Sequence, residues 1–173
     1  MKYETWQMLQ TLREQQKMEY GKLVQKLLAL AFFDAGAKRL TERSIQGIDI
    51  EVQLQDRKLA IEVKTSEASS ISIAKKDLDG LAARREDGFE TMLAILGGRL
   101  TDEWMFLPVP GTDLQAKAET DLVFLRPFAD SVLGPIVEEP FAASVDRFGV
   151  RACEGGQAAL NEVLLKNPGY ALA

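Results

Sequence analysis

The chain has 173 residues, 46% of them hydrophobic, which suits a single folded domain with a substantial core and excludes general disorder. No apolar run reaches the ~18 residues of a membrane span. The polar N-terminus MKYETWQMLQTLREQQ lacks a signal-peptide core, so the expected setting is the cytoplasm, with no membrane partner. Net charge is −5, histidine is absent and Cys153 is the one cysteine, which excludes His-based metal sites, Ser-His-Asp catalysis and an internal disulfide.

Any hydrolytic chemistry must therefore rest on carboxylates, lysines or a metal held by oxygens. The acidity is uneven: residues 1–100 carry 16 Lys/Arg against 15 Asp/Glu, and residues 101–173 carry 5 against 11. A positive surface formed by Lys38, Arg39, Arg43, Lys75, Lys76, Arg84 and Arg85 is thus compatible with the overall negative charge.

In chain order, residues 3–34 read as helix, with a break expected near Tyr20-Gly21 and a stripe of Leu23, Leu27 and Leu30. Gly36 is the expected stop. Residues 37–44 read as a first strand. Residues 47–54 alternate, with Ile48, Ile50, Val52 and Leu54 on one side and Asp49, Glu51 and Gln53 on the other. Residues 55–58 read as a turn, and residues 59–65 alternate again, with Glu62 and Lys64 on the polar side. A short extended piece at 71–73 leads to an amphipathic helix over 75–86, closed by Gly88. The apolar run 90–97 suits a central strand buried on both faces, and 103–109 suits another. Further strands and helices are expected at 121–126, 136–148 and 156–166. This order predicts an α/β fold with a mixed β-sheet flanked by helices. Its first hairpin is antiparallel, and the strand at 90–97 joins in parallel through a right-handed crossover.

With a turn over 55–58, Leu54 faces Leu59, Glu51 faces Glu62, and Asp49 faces Lys64, leaving Asp49 and Glu62 as diagonal neighbours able to converge on one cation. Asp49, Glu62 and the Val63 carbonyl suffice for a hard divalent metal, which takes oxygen ligands and keeps several waters. Such a metal lowers the pKa of bound water, and Lys64 is placed to stabilise charge developing on a phosphate. The plainer alternative is an ordinary hairpin with a wet side. Glu19 lies in phase with Leu23, Leu27 and Leu30, on the core-facing side, whereas Glu14 points to solvent. A carboxylate there either meets a metal or sits at a helix end favoured by the dipole. Thr65, Ser66, Lys75 and Lys76 are candidates for phosphate contact, with strand-end and solvated-helix roles as their alternatives. Trp6 and Trp104 read as core or interface residues, with base stacking as the alternative.

The segments MEYGKLVQKLLALAF, SIQGIDIEV and KLAIEVKTS place a helix-borne Glu before Gly-x-Asp, and then Glu-x-Lys after 12 intervening residues. This order resembles the PD-(D/E)xK nuclease superfamily, in particular its archaeal Holliday-junction-resolvase-like and restriction-endonuclease-like branches, over residues 18–97. Ile48 stands where the eponymous motif has proline. The resemblance implies a restriction-endonuclease-like core over 1–110, with 111–173 as an acidic extension packed on it. It implies Mg²⁺ or Mn²⁺ as cofactor, Asp49, Glu62, Val63 and Glu19 as metal-binding residues, and Asp49, Glu62, Lys64 and Glu19 as catalytic ones. It further implies DNA as partner, with structure-selective cleavage of junctions or branches by a homodimer. A nuclease fold serving as a catalytically silent module for nucleic acid or protein is the competing expectation.

Overall fold

The computed structural model describes residues 1–43, 47–66, 70–97, 100–109, 119–123 and 133–173. The sequence first builds a helical hairpin, α1 (Tyr3–Gln15) and α2 (Lys17–Asp34). The break falls at Gln16 (φ −143°, ψ 73°), not at the expected Tyr20-Gly21. Gly21 is tolerated inside α2 because a single glycine costs a helix only about 1 kcal/mol, less than the packing of the apolar residues that follow it. Tyr20, Leu23, Val24, Leu27, Leu28 and Phe32 of α2 are all buried. Gly36 ends α2 with φ +98°, and its N–H donates to the Phe33 carbonyl.

Six strands follow in one mixed sheet. They are β1 (Ala37–Glu42), β2 (Ile50–Leu54), β3 (Arg57–Ser66), β5 (Glu90–Gly97), β6 (Leu100–Pro108) and β8 (Tyr170–Leu172). Their spatial order is β6-β5-β3-β2-β1-β8. β1–β2, β2–β3 and β5–β6 are antiparallel, while β3–β5 and β1–β8 are parallel. The parallel β3–β5 pair follows from the crossover helix α3 (Lys75–Glu86). A separate two-stranded ladder joins β4 (Ser70–Ala74) to β7 (Glu119–Val123). The part of the expected strand at 124–126 lies outside the described residues.

Both faces of the sheet are covered. Leu59, Ile61, Met92, Ala94, Leu96, Trp104 and Phe106 pack against α1, α2 and α4 (Gly134–Leu164). Ala60, Leu93, Ile95 and Met105 pack against Leu78 and Leu81 of α3 and Ile73 of β4. Two-sided burial is why residues 90–97 read as a continuous apolar run instead of an alternating one. Trp104 stacks on Phe106 at 5.9 Å and meets Phe141 edge-on at 5.2 Å, so it is core.

The helices expected at 136–148 and 156–166 are one element, α4, interrupted only at Gly156 (φ 63°, ψ −156°). Pro140 lies inside it but within its first two turns, and Gly149 is held by close approach, since a Cβ there would come 2.4 Å from Thr5 Cγ2. After α4 the chain returns as the short strand β8, which sequence reading missed because three residues carry too little alternation. Its anchor is polar and buried: Lys26 Nζ lies 2.6 Å from Glu42 Oε2, which also accepts the Tyr170 hydroxyl at 2.7 Å. Burial and the Glu42 charge push the Tyr170 hydroxyl well above its ordinary range, so it remains a donor. No described helix is long and apolar enough to cross a membrane.

Removing one member of a buried ion pair strands the other charge. Glu42→Ala is therefore expected to lower stability by roughly 3–5 kcal/mol, and Tyr170→Phe by roughly 1.5–3 kcal/mol. Urea denaturation of the two variants checks both; losses under about 1 kcal/mol for Glu42→Ala would show that the pair is not coupled to folding.

Candidate active site

The β2–β3 hairpin turns at Gln55-Asp56, with Gln55 in the left-handed region (φ 56°). The observed partners are Leu54↔Arg57, Val52↔Leu59, Glu51↔Ala60 and Ile50↔Ile61. The expected register is therefore displaced by two residues: Glu51 does not face Glu62, and Asp49 does not face Lys64. A two-residue slip preserves strand parity, so the polar residues keep their face while exchanging their neighbours.

The regular ladder stops at Ile50, and Asp49 leaves it. Its N–H donates to the Ile61 carbonyl at 3.1 Å, and its carboxylate Oδ2 accepts the Val63 N–H at 2.8 Å. A side-chain oxygen thus takes the place of a backbone acceptor, which fixes the Asp49 carboxylate against β3. Gly47 (φ +73°) makes this turn-in possible, since a Cβ there would lie 2.3 Å from the Lys76 carbonyl oxygen.

Asp49, Glu62, Val63 and Thr65 share a cavity of about 510 Å³ with Lys17, Met18, Glu19, Gly21, Lys22, Gln25 and Gln157. Beside it, Lys64 Nζ donates to Glu62 Oε1 at 2.6 Å and to Asp77 Oδ2 of α3 at 2.8 Å. Lys22 Nζ of α2 stands 3.7 Å from Asp49 Oδ1. Burial pushes Glu62 up to about 7, with the Asp49 charge adding to the effect and Lys64 opposing it. Burial also raises Asp49, against the Val63 hydrogen bond and the Lys22 and Lys64 charges. For Lys64, burial acts downward, but Glu62 and Asp77 outweigh it and hold the ammonium above its ordinary value.

The expected residues divide. Asp49, Glu62, Val63, Thr65 and Glu19 come to one cavity, with Lys64 hydrogen-bonded to Glu62. Glu19, however, is taken up by α4: its Oε1 accepts the Gln157 N–H at 3.2 Å, and its Oε2 accepts Gln157 Nε2 at 2.9 Å. It thereby satisfies the first free N–H where α4 restarts after Gly156, and it also lies in the first turn of α2, the helix-end position that the dipole favours. Among the described residues no three carboxylates form a group able to hold one metal ion, so Glu19 lines the cavity without completing a three-carboxylate cluster. Ser66 is paired with Gly97 at the end of the β3–β5 ladder and does not line the cavity. Lys75 forms an exposed pair with Asp79, and Lys76 lines a different cleft.

Sequence reading missed Lys22, Asp77 and Gln157. Asp77 carried a usable signal, since it lies four residues before Leu81 on the buried stripe of α3. Lys22 follows Glu19 by one helical turn. Gln157 carried none, because its position depends on the break at Gly156.

The donor set is the buried Glu62 and the half-buried Asp49, both raised by desolvation and Glu62 further by the Asp49 charge, which suits a hard divalent cation binding through oxygen. No protein-family model matches the chain, and no curated protein does. Among solved structures, that of Hjc, a Holliday junction resolvase from the archaeal hyperthermophile Archaeoglobus fulgidus, is similar over 56% of this chain and 78% of its own, at 20% identity and a TM-score of 0.45. Likeness at that level assigns no chemistry, so the function must be read from this chain's own side chains.

Because Glu62 is raised from 4.5 to about 7 in the folded state, that state holds a proton the unfolded chain has lost. The contribution is complete below pH ~4.5 and disappears as pH rises through ~7. Glu62→Gln should thus gain on the parent protein by roughly 1–3 kcal/mol between pH 5 and pH 8 in EDTA. Urea denaturation at the two values checks this, and a gain of opposite sign would refute the shift. Gly47→Ala is expected to cost more than about 1 kcal/mol through backbone strain and collision with α3, measured in the same way.

Proposed function

We propose that the protein is a Mg²⁺- or Mn²⁺-dependent endodeoxyribonuclease of the PD-(D/E)xK type. The observation that carries the reading is the pairing of Asp49 and Glu62 in one cavity, each raised by burial, with Lys64 hydrogen-bonded to Glu62. Asp49, Glu62 and the Val63 carbonyl would hold the cation, which supplies an activated water and neutralises charge on the scissile phosphate. Val63 N–H orients the Asp49 carboxylate toward this task. Asp77 and Glu62 take two of the three N–H donors of Lys64, leaving the third for a phosphate oxygen. Asp77 is therefore a positioning residue for Lys64. Lys22 at the cavity wall adds positive charge where a polyanion would enter. Thr65 offers a hydroxyl to the same cavity.

Junction or branched DNA is the substrate class we favour, with a homodimer supplying two sites for two strands, in the cytoplasm. The second reading, a silent nuclease-fold module, is favoured by one observation, the commitment of Glu19 to Gln157 instead of to a third carboxylate position.

Purified protein with Mn²⁺ or Mg²⁺ is expected to cleave supercoiled, linear or four-way-branched DNA. Asp49→Ala and Lys64→Ala should each reduce the rate by at least about 10²-fold while retaining the folded state by circular dichroism. Mn²⁺ should also raise the melting temperature of the parent protein and not of Asp49→Ala. Intact DNA in every case, with no metal-induced stabilisation, would discard the nuclease in favour of the module.

A further inference from the structure

A second cleft, of about 670 Å³, is lined by Arg43, Ile48, Lys76, Asp79, Gly80, Ala83 and Arg84. It adjoins the first cavity at one pair of consecutive residues, since Ile48 lines the second cleft and Asp49 the first. Lys76 also lines the second cleft, and its neighbour Asp77 holds Lys64 beside the first cavity. Gly47 presses the first of these walls onto the Lys76 carbonyl.

The charge beside this cleft is unbalanced. Glu51 Oε1 lies 2.8 Å from Arg43 Nε and 2.6 Å from Arg84 Nε, so two guanidinium groups share one carboxylate. Only 11% of the Glu51 side chain is exposed, against 34% for Arg43 and 27% for Arg84, so the carboxylate lies beneath and the guanidinium groups reach solvent. Arg84 Nη1 also meets Asp87 at 2.9 Å, an exposed pair of small worth. Asp79 is engaged by Lys75. Lys76 is exposed and has no ion-pair or hydrogen-bond partner among the described residues. Guanidinium groups keep their charge and present planar forks that match phosphate oxygens.

We propose that this second cleft binds a backbone phosphate of the same DNA strand whose neighbouring phosphate enters the Asp49–Glu62 cavity. The proposal rests on the nuclease reading. It makes Lys76, together with the outward edges of Arg43 and Arg84, the register-setting contact that decides which phosphate meets Lys64. Phosphate contacts fix register and orientation without reading sequence, so the cleft would serve any sequence whose backbone follows the wall between the two cavities.

The test is fluorescence anisotropy of a labelled branched or duplex oligonucleotide, with EDTA present so that nothing is cut, over a range of salt concentrations. Lys76→Glu should weaken binding by about tenfold and lower the slope of log Kd against log salt by about one. Lys166→Glu makes the same charge change at an exposed position outside the cleft and should change both quantities much less. Arg84→Lys, which keeps a cation beside Glu51 but loses the fork, should also weaken binding. Equal effects of Lys166→Glu and Lys76→Glu, or no effect of either, would overturn the cleft as a phosphate site. If cleavage by the parent protein persists in that case, the nuclease reading stands without it. Failure of the parent protein to bind or cut DNA removes both.

Discussion

The register of the β2–β3 hairpin is the constraint on which the site depends. The left-handed residue Gln55 closes a two-residue turn, and that closure sets Ile50 opposite Ile61. Glycine would adopt this conformation without strain, so the glutamine conformation is maintained by the strands that flank it. Those strands are held in turn by burial of Ile50, Val52, Leu59 and Ile61 beneath α2. Once the ladder ends at Ile50, Asp49 is free to turn its carboxylate onto the Val63 N–H. Had the hairpin slipped by one residue, the acidic groups would have moved to the apolar face beneath α1, α2 and α4, where ionised carboxylates are costly.

The electrostatics of the site follow from that geometry. Desolvation raises the pKa of both Asp49 and Glu62, the Asp49 charge raises Glu62 further, and Asp77 adds a smaller repulsion to each. A divalent cation would relieve the same strain without a proton, which is why the donor set suits a metal. Lys64 alone does not suffice, because its ammonium is shared between Glu62 and Asp77. Asp77 links α3 to this chemistry, just as Lys22 links α2. The cavity is built where the hairpin meets α2 and α4, and α3 reaches Lys64 beside it through Asp77.

The described C-terminal elements α4 and β8 share the core and the sheet. α4 covers one sheet face with Val137, Phe141, Val145, Ala152, Leu160 and Leu164, and β8 extends the sheet beyond β1. Its break at Gly156 brings Gln157 to the cavity and engages Glu19. The clasp of Glu51 by Arg43 and Arg84 shows a related economy of charge on the opposite face. A carboxylate that sequence pattern set against Glu62 is neutralised locally by two arginines, without any ion.

Much of this was legible in the residues themselves. Strand alternation placed Asp49, Glu62 and Lys64 on one side of a hairpin, and the apolar run at 90–97 announced a strand covered twice. These features survive because parity and helical phase are local properties, and an even slip in register leaves parity unchanged. The phase of Glu19 with Leu23 and Leu27 turns it toward the cavity that it lines, but its partner is not legible in the sequence. Gln157 is 138 residues away and reaches Glu19 only through a glycine conformation inside α4. The break at Gln16, the strand β8 and the contacts of Asp77 likewise depend on packing between distant segments. The sequence by itself determined the periodicities, and hence the fold class and the identity of the polar face. Only the tertiary structure decided which polar groups meet, because hydrogen bonds and ion pairs require distances of about 3 Å that no local pattern encodes.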